Sequence, residues 1–405
     1  MTNVFDELKS RGFIQQVSDE SGLQKLLSEK KTTFYIGYDS TAESLHVGHL
    51  LTIMAVMHLQ KAGHKQISVI GGGTTMIGDP SGKTETRPIM SKEEINANGK
   101  KLLKQLERFL DFSKGMGEFV DNADWLLPLN YIEFLRDIGA HFRVNEMIKA
   151  KAYELRLARN QGLSFLEFNY QLLQAYDYLT LFRKYDCRLQ IAGDDQWSNM
   201  LAGIDLIRKV EKADVFAATF PLLTTATGSK MGKTEAGAVW LDPAKTSPYE
   251  FYQYWINCDD RDIGKFFKLF TFLSIDEIDK ICAGDIREAK KKLAFEITKI
   301  VHGEKEAEKA RESSEQLFDD GNLNATDIPT TEISEKEIAE MSVIDLLVKA
   351  GLSSSKSEAR KLIDGGGVNI NGEQIESDAK VIDFVRDGVL MLRKGKKTYH
   401  KIVIK

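Results

Sequence analysis

An α/β fold built on a parallel sheet is the architecture this 405-residue sequence predicts, on three observations. Short stretches at 34–36, 66–70 and 187–192 read as strands, the second a short buried one. Small or acidic residues follow each run, and helical patterns lie between them. Strand, helix and strand at this spacing argue for a right-handed βαβ unit and so for a parallel sheet.

The length allows two to three domains with a substantial core. With 42% hydrophobic and 28% charged residues, the chain has the composition of a soluble globular protein. No apolar run reaches membrane-spanning length, and the start, Met-Thr-Asn-Val-Phe-Asp-Glu, shows no signal peptide. Cys187, Cys258 and Cys282 stand far apart without C-x-x-C spacing, which suits a reducing cytoplasm. Residues 342–405 carry 12 Lys/Arg against 8 Asp/Glu, a net +4, which leaves −9 on residues 1–341 of the total −5. From Arg393 to Lys405 there are six Lys/Arg and no acid. An acidic body with a basic tail suggests that the tail meets a polyanion, the plain alternative being a solvated charged end.

Taken in order, residues 1–33 read as two helices, over 4–8 and 22–30. Phe34-Tyr-Ile36 forms a strand that Gly37 breaks, and Asp39, Ser40 and Thr41 supply turn chemistry. His46-Val-Gly-His49 then runs into an apolar helix over 50–59. The two histidines, three apart, share a helix face, and Gly48 leaves the backbone between them open to a flat ligand. A helix N-terminus of this kind suits an anion, although two surface histidines are the bland reading. The spacing is wrong for a helical zinc pair, so no protein metal site is expected.

Gln66-Ile-Ser-Val-Ile70 feeds the glycine-rich stretch 71–84. Met76 stands where a dinucleotide fingerprint needs its third glycine, and Gly78 to Gly82 has three intervening residues where a Walker loop needs four. The glycines therefore point to backbone lying close to some other ligand. Lys83 and Arg87 hang from this loop, either as solvated charge or as grips for a pyrophosphate. Residues 91–165 read as helical throughout, opened by the capping box Ser91-Lys-Glu-Glu94, and interrupt the sheet. In the next helix Tyr170, Gln174 and Asp177 share one face, as a solvent-facing stripe or as the wall of a polar pocket.

The strand ending at Ala192 leads into Gly193-Asp-Asp-Gln-Trp197, where a parallel sheet binds its ligands. Asp194, Asp195 and Gln196 suit a ribose or an amine there, unless an aspartate caps the next helix. Lys230-Met-Gly-Lys-Thr234 is a flexible cationic loop suited to closing over a triphosphate, or an ordinary exposed loop. Ser247-Pro-Tyr-Glu250 opens a helical domain that continues to about 318. Residues 319–341, broken by Pro329, read as a linker. From Ser342 come two short helices, the second with Lys356 and Arg360 at i, i+4. A strand with an Asn371-Gly372 turn and the basic end follow.

With these pieces in place the chain resembles the bacterial tyrosyl-tRNA synthetases, a class I aminoacyl-tRNA synthetase family, along nearly its whole length. His46-Val-Gly-His49 is similar to the "HIGH" signature and Lys230-Met-Gly-Lys-Thr234 to "KMSKS", with Gly232 and Thr234 where serines are commoner. Tyr35, Gly78-Asp-Pro-Ser-Gly-Lys83, Tyr170-x-x-x-Gln174-x-x-Asp177 and Gly193-x-Asp-Gln-Trp197 carry the tyrosine-specific likeness. The resemblance implies a Rossmann-like catalytic domain over 1–240 with a helical insertion near 91–185. An α-helical domain on the tRNA anticodon side over 241–320, a linker over 321–341 and an α+β RNA-binding domain of alpha-L type over 342–405 would follow.

It also implies roles. Tyr35 and Asp177 would hydrogen-bond the substrate phenol, and Asp79, Tyr170 and Gln174 would hold its ammonium with Gln196 nearby. Gly193 and Asp195 would face the ribose, with Gly37, Asp39, Gly48 and Thr52 completing the ATP site. Thr41, His46, His49, Lys230, Lys233 and Thr234 would stabilise ATP in the transition state, helped by Lys83 and Arg87. The implied reaction joins L-tyrosine to ATP, with its Mg2+, as an adenylate and then passes tyrosine to tRNA(Tyr). The expected form is a cytoplasmic homodimer without membrane contact. Phenylalanine is rejected when buried groups lose the phenol hydroxyl, a rule for which tyrosyl synthetases are the worked example. The rival readings are a tryptophanyl enzyme, which should lack the Tyr35/Asp177 pair, and an RNA-binding protein without catalysis, against which both histidines and both signature lysines speak.

Overall fold

In the computed structural model the described residues are 3–81, 90–113, 115–159, 162–228, 231–234, 237–319, 329–376, 379–386, 388–395 and 398–405. They form two units, Met1–Asp242 with Asp259–Asp285, and Pro243–Cys258 with Ile286–Lys405. No helix among them is long and apolar enough to cross a membrane.

The first unit is organised by a six-stranded sheet. Its strands are β1 (Gln16–Val17), β2 (Thr33–Tyr38), β3 (Lys65–Ile70), β4 (Gly117–Asp121), β5 (Cys187–Gly193) and β6 (Phe216–Phe220), in the order β1-β6-β5-β2-β3-β4. All pairs are parallel except β1 with β6. The parallel sheet read from 34–36, 66–70 and 187–192 is thus the central three strands. From β2 the chain goes to β3 and β4 on one side, then returns to β5 on the other, so the strand order reverses between β2 and β5. A crevice opens outside the carboxyl ends of strands at such a point.

The helix Val47–Lys61 covers this sheet with Leu50, Ile53, Met54 and Val56 wholly buried. Each such side chain contributes roughly 1.5–3 kcal/mol on burial. The helix Phe165–Tyr185 starts at the capping box of Ser164 with Glu167 and ends at Asp186, which takes a left-handed φ of 49°.

Three expectations change in this unit and its neighbouring helices, and a fourth, the linker, changes in the second unit. Residues 91–165 are not helical throughout, because 117–121 is β4, an edge strand whose Glu118 and Asp121 hide its pattern. Of the glycine run, Gly71 lines the cavity beyond β2 and β5, while Gly72 and Gly73 lie against the protein itself. The N–H groups of Gly72 and Gly73 donate to Asp121 Oδ1 (3.1 Å) and Asn122 Oδ1 (2.8 Å), and a Cβ on Gly72 would sit inside the Asp121 carboxylate. The helical segment 241–320 is divided, since Ile263–Phe270 and Ile275–Cys282 belong to the first unit. Arg11, buried on the helix Val4–Arg11, donates there to the carbonyls of Lys268, Thr271 and Leu273 at 3.2, 3.2 and 2.9 Å. A short hairpin of β7 (Lys233–Thr234) and β8 (Gly237–Ala238) completes this unit.

In the second unit the helix Pro248–Ile256, capped by Ser247 with Pro248 at its first turn, packs with Ile286–His302 and Glu304–Asp319. Its sheet runs β11-β10-β12-β13-β9, with β9 (Thr330–Ile333), β10 (Val368–Ile370), β11 (Glu373–Gln374), β12 (Val389–Lys394) and β13 (Thr398–Ile404). Of the expected linker, 320–328 lies outside the described residues. The remainder pairs β9 with β13 and buries Ile333 and Ile338 in the same core as Leu346, Leu390 and Ile402. The basic end is likewise a pair of sheet strands, with Lys394 donating to the Leu352 carbonyl at 2.8 Å. Asn371 and Gly372 take positive φ of 50° and 88° at the turn between β10 and β11.

Candidate active site

Where β2 ends, His46 caps the helix Val47–Lys61. Its Nδ1 accepts the Gly48 N–H at 3.0 Å, while His49 Nδ1 accepts the His46 N–H at 3.1 Å. This is a capping box made of two imidazoles, 4.0 Å apart between ring centres. With Nδ1 accepting in both rings, each neutral imidazole keeps its proton on Nε2 and offers it as a donor. Desolvation, and then the neighbouring His46, hold His49 down to about 3, so it is neutral at pH 7. His49 therefore acts as an N–H donor beside a helix N-terminus rather than as a cation. A Cβ on Gly48 would lie 2.7 Å from the His46 ring, so only glycine lets that ring fold back as a cap.

The segment after 230 lies against this helix start. Val47 N donates to Val239 O at 2.9 Å, Val239 N to Gly232 O at 3.0 Å, and the Trp240 ring stands 6.2 Å from His46. The second signature thus meets the first through backbone contacts. Lys230, Lys83 and Arg87 lie outside the described residues, and only the backbone of Lys233 and Thr234 is described.

Beyond β2 and β5 lies a cavity of about 310 Å³. Tyr35, Gly37, Asp39, His49, Thr52, Asp79, Tyr170, Gln174, Asp177, Gly193, Asp195 and Gln196 all line it. Thr41 lines an adjoining hollow with Gly37, Asp39 and His49. The Thr52 hydroxyl donates to His49 O at 2.8 Å. Asp194 faces elsewhere, accepting from Gln16 and Thr219 at 2.6 and 2.9 Å.

Two ends of the cavity differ in chemistry. At one, Asp177 is buried and accepts from Asn122 Nδ2 at 3.0 Å and Trp125 Nε1 at 2.7 Å. Burial raises its carboxyl to about 7 in spite of these two donors. The buried Tyr35 hydroxyl nearby has no hydrogen-bond partner among the described residues, and burial followed by the Asp177 charge raises its pKa well above the usual value. At the other end, burial and then the Asp39 charge raise Asp79 to about 6. Asp79 accepts from Ser81 N at 2.9 Å and Gln196 Nε2 at 2.5 Å. An orphaned hydroxyl next to a carboxylate calls for a ligand hydroxyl. A buried carboxylate among neutral amides suits an ammonium.

Asn122, Trp125 and Gln190 are site residues that the sequence reading missed. Gln190 lines the cavity with a buried Oε1 that lacks a partner among the described residues, and it is the register neighbour of Tyr35 across β2 and β5. Alternation along a recognised strand gives its direction, but Asn122 and Trp125 carry no signal of spacing. Among the described residues no group of three His, Cys, Asp or Glu side chains is placed to hold a metal.

The chain belongs to the class I tRNA synthetases (W and Y), whose family profile matches residues 27–319. More particularly, its likeness is to the tyrosine--tRNA ligases. Residues 321–402 match the tyrosine--tRNA ligase SYY-like C-terminal domain. The chain is 52% identical to the tyrosine--tRNA ligase of Acetivibrio thermocellus over 408 residues, 99% of each chain. It is also 52% identical to that of Caldanaerobacter subterraneus subsp. tengcongensis over the whole of both. A C-terminally truncated mitochondrial tyrosyl-tRNA synthetase of Aspergillus nidulans superposes with a TM-score of 0.71 at 30% identity, covering 78% of this chain and 95% of that one.

Proposed function

We propose that this chain is a tyrosine–tRNA ligase, activating L-tyrosine with ATP and transferring it to the terminal adenosine of tRNA(Tyr). The observation that carries the amino-acid choice is the unpartnered Tyr35 hydroxyl beside Asp177. The phenol O–H donates to Asp177 and its oxygen accepts from Tyr35, so phenylalanine leaves both groups buried and unsatisfied. At the other end Asp79, Gln174 and Tyr170 receive the ammonium. That orientation turns the carboxylate toward the ATP side, lined by Asp39, Gly193 and Asp195.

The carboxylate attacks the ATP α-phosphorus in line, and pyrophosphate leaves. Positioning and charge stabilisation carry this chemistry, and no protein nucleophile takes part. The Nε2–H groups of His46 and His49 donate to phosphate oxygens as charge builds. Lys83, Arg87, Lys230, Lys233 and Thr234 take the departing pyrophosphate, a reading that the family likeness supports. Mg2+ enters with the ATP triphosphate, whose charge it screens. The positively charged 342–405 module holds the tRNA through phosphate contacts, in the cytoplasm with the rest of translation.

A second copy covers the large apolar side chains left exposed between residues 127 and 166, Ile132 (69%) and Phe165 (68%) foremost among them. Sedimentation of the wild type against Ile132→Asp reads that dimer directly.

Amino-acid-dependent exchange of pyrophosphate into ATP tests the activity. Tyrosine alone should support it, and Asp177→Ala should lower kcat/KM for tyrosine about 100-fold, the loss of one charged hydrogen bond with its neighbours left unpaired. Exchange with tryptophan instead overturns the substrate, and no exchange with any amino acid overturns the catalytic reading.

A further inference from the structure

We propose that Asn199 is a positioning residue, fixing which end of the Gln174 and Gln196 amides is turned toward the substrate amino group. This rests on the tyrosine-adenylating reading of the cavity. Asn199 is buried in the first turn of the helix Trp197–Glu211, behind the cavity wall. Its Nδ2 lies 3.1 Å from Gln174 Oε1, 3.2 Å from Gln196 Oε1 and 3.4 Å from Ser81 Oγ.

An amide nitrogen carries two protons and accepts nothing, so both glutamines must offer Asn199 their carbonyl oxygens. The Nε2 of Gln196 is thereby turned to Asp79, where it donates to Oδ2 at 2.5 Å. Reversed, Gln196 would set its oxygen against that carboxylate, acceptor facing acceptor. Held as a donor, it favours the ionised Asp79 that an ammonium requires. Gln174 Oε1 keeps a second lone pair for the ammonium itself. One buried side chain thus orders three of the groups that receive the amino end. Among the described residues, Asp39, whose charge opposes its ionisation, and Tyr153 face Asp79, and Asp195 shares the Gln196 Nε2 donor at 3.3 Å. Ser81 N–H and Gln196 are its neutral donors.

The test uses the full chain with Asn199→Leu, similar in size without a donor, and Asn199→Asp, which replaces the donor by acceptors. In tyrosine-dependent pyrophosphate exchange both variants should raise KM for tyrosine about tenfold, the loss of a hydrogen bond serving a charged group. KM for ATP should stay within about twofold, because the bonds at stake face the amino end. The pH below which KM for tyrosine climbs should move upward in both, since Asp79 loses its oriented donor. Inhibition by tyramine, which keeps the ammonium, should weaken in parallel. Inhibition by 3-(4-hydroxyphenyl)propionate, which lacks it, should not.

Unchanged tyrosine KM and pH profile in folded variants would overturn the proposal. So would tyrosine and ATP KM values that rise together with a lowered Tm, the mark of lost packing. Asn199→Asp keeps the side-chain shape and carries the test if Asn199→Leu does not fold. A wild type without tyrosine-dependent exchange defeats the proposed function itself, whereas an active wild type with indifferent variants defeats only this inference.

Discussion

Asp79 is the residue at which stability and binding pull in opposite directions. Its carboxyl is raised from 3.8 to about 6 by burial and the Asp39 charge. Below the unfolded value both states carry the proton. Between that value and about 6 the folded chain holds a proton the unfolded one has lost, so stability falls as pH rises through this window. Above it the buried charge costs roughly 3 kcal/mol. Asp79→Asn should therefore raise Tm at pH 8 and leave it nearly unchanged at pH 4, as read by thermal melts in matched buffers. In its proposed role as the ammonium's partner, Asp79 needs the opposite state, because an ammonium is attracted by the carboxylate. In the wild type KM for tyrosine should climb about tenfold per pH unit below about 6. A flat profile through that range would remove Asp79 from ammonium recognition. Some site residues were legible from spacing, Tyr170, Gln174 and Asp177 among them, because one helix aligns them. Asn122 and Trp125 were not, since their partner Asp177 is 55 and 52 residues away in sequence. Asn199 is hidden for the same reason, with Ser81 118 residues away.

At the scale of the element, the histidine-capped helix depends on Gly48. In Gly48→Ala the new Cβ meets the His46 ring at 2.7 Å, so the ring must swing out and the cap is lost. The stability cost should be about 1 kcal/mol, the usual worth of an N-cap. The larger effect falls on catalysis, with kcat for exchange down at least about tenfold and tyrosine binding, measured calorimetrically, unaltered. Loss of tyrosine binding in parallel would mean that the helix start supports the whole cavity. Strands β2, β3 and β5 were legible because Phe34, Tyr35, Ile36, Ile67, Val69, Ile70, Leu189 and Ile191 are strand-forming residues that run up to a glycine or small-residue break, although Gln66, Ser68 and Gln190 are buried among them. Two others were not. β6 is short, Ala-rich and closed by Pro221, and β4 is a half-exposed edge with acids at Glu118 and Asp121. The glycine run was legible as a close approach but not in its partner, since Asp121 and Asn122 follow the strand that the pattern concealed.

For the molecule as a whole, net charge separates residues 342–405 (+4) from residues 1–341 (−9), and the proposed function puts the tRNA contacts on the former. A chain ending at residue 319 should keep tyrosine-dependent exchange and lose most tRNA charging. Retained charging, measured at several salt concentrations, would instead place the RNA contacts within residues 1–319. The first unit is also discontinuous, and Arg11 binds carbonyls up to Leu273, a separation of 262 residues. During synthesis, at about 5–20 residues per second, the N-terminal helix waits roughly 10–50 s for the acceptors that its guanidinium needs. Until then that cation cannot be buried at low cost, so the nascent first unit stays incomplete on the ribosome. Vectorial translation thus sets the order of assembly: the second unit's first helix leaves the exit tunnel before the first unit can close.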